Sequence, residues 1–151
     1  MNPLILAMTA LVLTGGADSG GLSITLSAPA AVKAGQAVEL SLQQTVNRDL
    51  TMDAVEDNDL STEIRVEPIG GGAAQTLTGS DRWRHLHPGQ RPHYSPPLHV
   101  KAGESWTSVL DLNEYAAPLP AGRYRIVVIH HYPGLGGQVA RSNPVEVVVK
   151  P

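Results

Sequence analysis

From Leu22 onward the chain alternates between apolar and polar positions. In LSITLSA, Leu22, Ile24 and Leu26 fall on one face and Ser23, Thr25 and Ser27 on the other. AVELSLQQT repeats the pattern, with Val38, Leu40 and Leu42 set against Glu39, Ser41 and Gln43. An apolar residue at every second position marks a half-buried antiparallel strand, and PAAVKAGQ supplies Pro29 and Gly35 as punctuation between the two. Leu50 with Met52, Ile64 with Val66, and the short AQTLTG after Gly70-Gly71-Gly72 continue the series. In SWTSVLDL, Trp106, Ser108, Leu110 and Leu112 share a face that excludes Val109 and Asp111. The apolar run RYRIVVIHHY and a closing VEVVV complete it, and no window shows a helical period or an internal repeat. Seven or so short strands joined by turns predict an all-β chain folded as an antiparallel β-sandwich.

One stretch breaks the alternation. Residues 79–97, GSDRWRHLHPGQRPHYSPP, contain four prolines and no clean period, so they read as a long excursion outside the core. Such loops are where recognition residues concentrate.

Composition narrows the setting. The chain has 151 residues, 15 Gly, 12 Pro and no Phe, so a single core built on Val, Leu, Ile and Ala is expected. A formal net charge of -3 gives no reason to expect nucleic acid or an anionic membrane as partner. With no Cys, disulfides, thiolate metal sites and cysteine nucleophiles are excluded. The apolar stretch Leu4–Leu13, followed by small Gly15 and Ala17, has the anatomy of a signal peptide over residues 1–17, although Met1-Asn2-Pro3 carries no Lys or Arg. Export to the periplasm or the extracellular space follows, with 18–151 as the mature sandwich. The stretch is too short for a membrane span, and no stable membrane insertion is expected after cleavage.

LPAGRYRI places Tyr124 just after the Gly122 turn and two residues before the inward Ile126. A Tyr in that place closes the corner of immunoglobulin-type sandwiches by bonding back with its hydroxyl, while Ile126 stands where an antibody domain has its second Cys. The layout from Val100 to Val149 combines Ala102-Gly103-Glu104-Ser105, Leu110-Asp111-Leu112, Tyr115, Leu119, Gly122, Tyr124 and Ser142-Asn143-Pro144. It resembles bacterial exported immunoglobulin-like modules and is similar to the sandwich family named after bacterial intracellular proteinase inhibitors. That resemblance implies an immunoglobulin-like fold and leaves activity open.

Candidate chemistry is sparse. Adjacent residues on a strand point to opposite faces, so His130 and His131 cannot readily share an ion; His130 continues the inward series and His131 faces out with Arg123 and Arg125. His85 and His87, two apart, with His93 and His99 nearby, are the better-spaced metal candidates, yet no carboxylate or thiol spacing joins them. Asp53, Glu56, Asp57, Asp59 and Glu63 raise calcium, but Thr62 and Pro68 stand where an EF-hand loop needs Gly and Glu. Gly103-Glu104-Ser105-Trp106-Thr107 lacks the last Gly of a nucleophile elbow, and Gly134-Leu135-Gly136-Gly137 lacks the third small residue of a dinucleotide loop. The expectation is a protein without enzymatic activity or cofactor. Arg82, Trp83, Arg84, Arg91 and Tyr94 mix cations with aromatics and form the candidate binding surface for a protein or carbohydrate partner; the alternative for the same stretch is a loop folded onto its own sandwich with Trp83 and Tyr94 buried. A Pro-rich loop filling a protease cleft is the second reading, and a histidine-based metal-binding protein the third.

Overall fold

The alternation at either side of Pro29 becomes β1 (Leu22–Ser27) and β3 (Glu39–Val46), antiparallel, with Leu22 opposite Val46 and Leu26 opposite Leu42. The structure, a computed structural model, describes residues 21–52, 62–91, 98–132 and 138–151; the expected signal peptide over 1–17 lies outside them. On the other side of β3 runs β8 (Ser105–Asp111), with Leu40 opposite Leu110. These three strands form one layer, in the order β1-β3-β8.

The second layer has β9 (Gly122–Tyr132) at its centre. It is flanked by β5 (Thr62–Pro68) and β11 (Val145–Lys150), with β6 (Gln75–Thr78) outside β5 and β2 (Ala31–Lys33) outside β11. The first half of β9 pairs with β11 and the second half with β10 (Gln138–Arg141). A two-stranded ribbon of β4 (Leu50–Met52) and β7 (Leu98–Val100) carries the chain out of β3 and back into β8. Gly103, at φ +90°, makes that return possible: its N–H bonds to the Val46 carbonyl while the Val46 N–H bonds to the Glu104 carbonyl. Two residues thus oppose one, a bulge whose first position favours glycine.

The architecture is an all-β sandwich. Leu22, Ile24, Leu40, Leu42 and Val46 from one layer meet Ile64, Val66, Ile126, Val128 and Val147 from the other, all of them buried. Because β9 is a central strand, its outward Val127 and Ile129 are buried too, with Arg65 and Glu63 opposite them on β5. Tyr124 donates its hydroxyl to the Pro120 carbonyl at 2.7 Å, which pins the Leu119–Gly122 turn to the start of β9.

Two expectations are corrected. Eleven strands stand among the described residues instead of about seven; the surplus is β2, β4, β7 and β10, pieces of three or four residues. One of them, β2, lies inside the stretch read as punctuation and runs parallel to β11, the single parallel pairing among the described strands. The second correction concerns residues 79–97. Gly79–Leu86 form an α-helix, α1, so the excursion begins with regular structure. Among the described residues, no helix is long and apolar enough to cross a membrane.

Candidate functional site

The polar sequence of α1 conceals a capped helix. Thr78 at its N-terminus accepts a bond from the Asp81 N–H at 3.2 Å and donates its hydroxyl to Asp81 Oδ2 at 2.7 Å. This closes the first turn by side chain and backbone together. The Thr78 bond, with Arg84 beside it, holds the Asp81 carboxyl below the usual carboxylate range. The Arg84–Asp81 pair spans one turn of the helix.

Two of the sequence-predicted binding residues face the body of the protein. Trp83 is 8% exposed, and its Nε1 donates to the Gln90 carbonyl at 3.3 Å. Its ring stands over His87 with centroids 4.2 Å apart. Arg82 meets Glu114, just after β8, at 2.6 Å, and its guanidinium carbon lies 5.8 Å from the centre of the Tyr115 ring. Trp83 is therefore an internal anchor and not an exposed contact. The turn through His87 and Gln90 covers the ring there because an indole leaves more apolar surface in water than so short a helix can spare.

What remains outward is mixed: two guanidinium groups, of which Arg84 is paired with exposed Asp81, stand among neutral side chains. Arg84, His85 and Arg91 are exposed, and Leu86 is 39% exposed. Tyr94 and His93 lie outside the described residues. The structure thus brings Arg84 and His85 together on α1, with Arg91 on the turn that wraps Trp83. Arg84 and His85 point away from Arg82 and Trp83, whereas Leu86, four and three positions on from those two, stands on their side of the helix with its edge in water. The signal for this division was available in the Thr78-x-x-Asp81 spacing, which marks a helix start.

The described histidines do not converge. His87 stacks on Trp83 and His85 projects from α1, while His99 on β7 bonds through Nδ1 to Thr51 Oγ1 at 3.0 Å. Among the described residues no three His, Asp or Glu side chains gather as a metal site. His130 and His131 separate across the sheet. His130 points inward beside Thr62, Nδ1 to Oγ1 at 3.2 Å, and burial, with the charge of His131 second, pushes its imidazole down to about 4. His131 points outward, its Nε2 2.9 Å from Glu63 Oε2. His131 and then Arg65, both bonded to the Glu63 carboxylate, hold that group below its usual range. Of the acidic stretch considered for calcium, Asp53, Glu56, Asp57 and Asp59 lie outside the described residues, and Glu63 is committed to this surface network.

No family model matches the chain, and no curated protein matches its sequence. Among solved structures, the crystal structure of a β-glucosidase from Listeria innocua in complex with isofagomine is similar at 13% identity and a TM-score of 0.46. The alignment covers 91% of this chain and 17% of that one.

Proposed function

We propose that this chain is an exported, non-enzymatic β-sandwich module that binds an acidic protein surface through the outward side of α1 and the turn after it. The observation that carries the reading is the fixed presentation of Arg84, His85 and Arg91. The helix beneath them is capped by Thr78, anchored by buried Trp83 and tied to the sandwich by Arg82–Glu114. A rigid support lowers the ordering cost of binding, and exposed guanidinium groups complement carboxylates. A carbohydrate partner is less well served, because sugar faces stack on exposed aromatic rings and Trp83 is turned inward. The inhibitor reading rests on the Pro-rich part from Pro88 to Pro97 alone, because residues 79–86 are helical. The apolar Leu4–Leu13 stretch ending in small residues supports export.

The test is a photo-crosslinking amino acid at His85, expressed in the source cells, with adducts from the envelope fraction identified by mass spectrometry. One dominant protein adduct, lost in the R84E/R91E variant while the melting temperature is kept, is the expected result. An adduct pattern unchanged by the double charge reversal overturns the proposed surface. N-terminal sequencing of the mature protein checks export, with Asp18 as the expected first residue.

A further inference from the structure

The edges of the two layers are not equally protected. An edge strand with unpaired backbone groups recruits another strand unless charge, proline, brevity or a covering element prevents it. At the outer edge of β2 the strand is three residues long and ends in Lys33. At β6 the strand is four residues long and turns directly into α1. At β1 the Leu26 N–H and C=O are both taken by the Asn143 side chain. β8 is longer, at seven residues, and its one charge, Asp111, stands at its last position. Ser105–Leu110 contains no charge and no proline, Val109 is 64% exposed, and among the described residues no strand pairs with the far side of β8.

The ladder shows which groups face that edge. Leu112 N–H bonds to the Val38 carbonyl and Val46 N–H to the Glu104 carbonyl, so the even-numbered residues of β8 carry the bonds to β3. The N–H and C=O groups of Ser105, Thr107, Val109 and Asp111 point the other way.

We infer that β8 pairs with β8 of a second copy of this chain, antiparallel about a two-fold axis through Ser108, joining two three-stranded layers into one six-stranded sheet. The sequence is self-complementary in that register. Thr107 meets Val109 of the second copy in a hydrogen-bonded pair, and on the core-side face half-buried Trp106 meets Leu110. Asp111 falls opposite neutral Ser105, so no like charges meet. A closed two-fold contact of this kind uses the same patch on both partners and leaves no further open edge at β8.

The absence of cysteine permits a direct test of register. Ser108 sits on the axis, and its non-hydrogen-bonded pair brings the two Cα atoms to about 4.5 Å, within disulfide range. Under mild oxidation of the full mature chain, S108C should form a disulfide dimer at least about tenfold faster than V109C, the reverse of their order of exposure. In sedimentation equilibrium the wild type should dimerise reversibly, and V109K and T107P should raise the dissociation constant at least about tenfold. Thr107 directs its N–H away from β3, so T107P leaves the β3–β8 ladder intact; V109K changes an exposed side chain and serves as the variant certain to fold. A wild type that stays monomeric at high concentration, whether its edge is covered by its own chain or bare, overturns the inference. So does V109C crosslinking faster than S108C.

Discussion

Asn143 closes on the backbone of Leu26 at both ends of its amide: Oδ1 accepts from the Leu26 N–H at 2.8 Å, and Nδ2 donates to the Leu26 C=O at 2.9 Å. The two residues are 117 positions apart and belong to different layers. The amide does for β1 what a neighbouring strand would do, at the place where β10 ends and β11 begins. Beside it, Ser142 performs a related substitution, its Oγ accepting from the Val128 N–H at 3.0 Å while its own N–H bonds to the Val128 carbonyl. The Ser-Asn-Pro corner therefore moves the chain from one half of β9 to the other without leaving buried backbone groups unpaired.

Replacing Asn143 strands those groups. N143A should lower the unfolding free energy by about 2–4 kcal/mol, since a buried N–H and a buried C=O both lose their partners. N143D should cost at least as much, because a carboxylate oxygen then faces the Leu26 carbonyl. Urea unfolding of the three proteins at neutral pH decides it. An N143D protein as stable as the wild type would show that the second bond of the amide contributes little.

The Tyr124 hydroxyl offers a narrower test. Its bond to the Pro120 carbonyl is short and partly shielded, so Y124F should lose about 1–2 kcal/mol while the ring continues to fill its place in the core. G122A should be nearly neutral, since a methyl group there meets the Tyr124 hydroxyl no closer than 3.4 Å and the backbone is not left-handed. Equal losses from the two substitutions would contradict this account of the corner.

How much of this was legible in the sequence depended on what made each element form. β1 and β3 were legible because their stability comes from one buried face, and the alternating residues that build this face are the signal itself. The same holds for the outward Val109 and the inward His130. α1 was missed because it buries one side chain of consequence, Trp83, and is held by a cap and an ion pair, neither of which produces periodicity. β2 was missed because three residues cannot show a pattern; its place beside β11 is a tertiary outcome. Asn143-Pro144 reads as a turn in any sequence, and the Leu26 backbone that makes the Asn structural lies far away in the chain. For the proposed binding surface, residue types marked only the stretch, while the helix decided which of them face water.

That decision separates two kinds of variant on α1. W83A should cost about 3 kcal/mol or more, as for other buried large-to-small changes, and should release the turn through Gln90. R84A should change stability by less than about 1 kcal/mol, because its pairing with Asp81 is exposed. Chemical unfolding, with proteolysis of the 79–91 stretch as a local readout, checks both. A W83A protein as stable as the wild type would return Trp83 to the candidate binding surface.

His130 sets the behaviour in acid. Burial between Thr62 on β5 and Ala140 on β10 disfavours the charged ring, and the neighbouring charge of His131 adds to this, so the folded protein keeps the imidazole neutral down to about 4. In the unfolded chain the same ring takes a proton near 6.5. Between those values the unfolded state binds more protons, so stability is present in full above about pH 6.5 and is lost as pH falls toward 4. At ~1.4 kcal/mol per pH unit the loss from this one group reaches roughly 3 kcal/mol. Glu63 acts in a separate, lower window: its carboxyl is held below the ordinary value, so its contribution is present above about 4.5 and disappears as pH falls further. Unfolding free energies measured from pH 7.5 to 4 should therefore fall steeply for the wild type and much less for H130Q. An H130Q protein with the wild-type slope would assign the acid sensitivity to other groups.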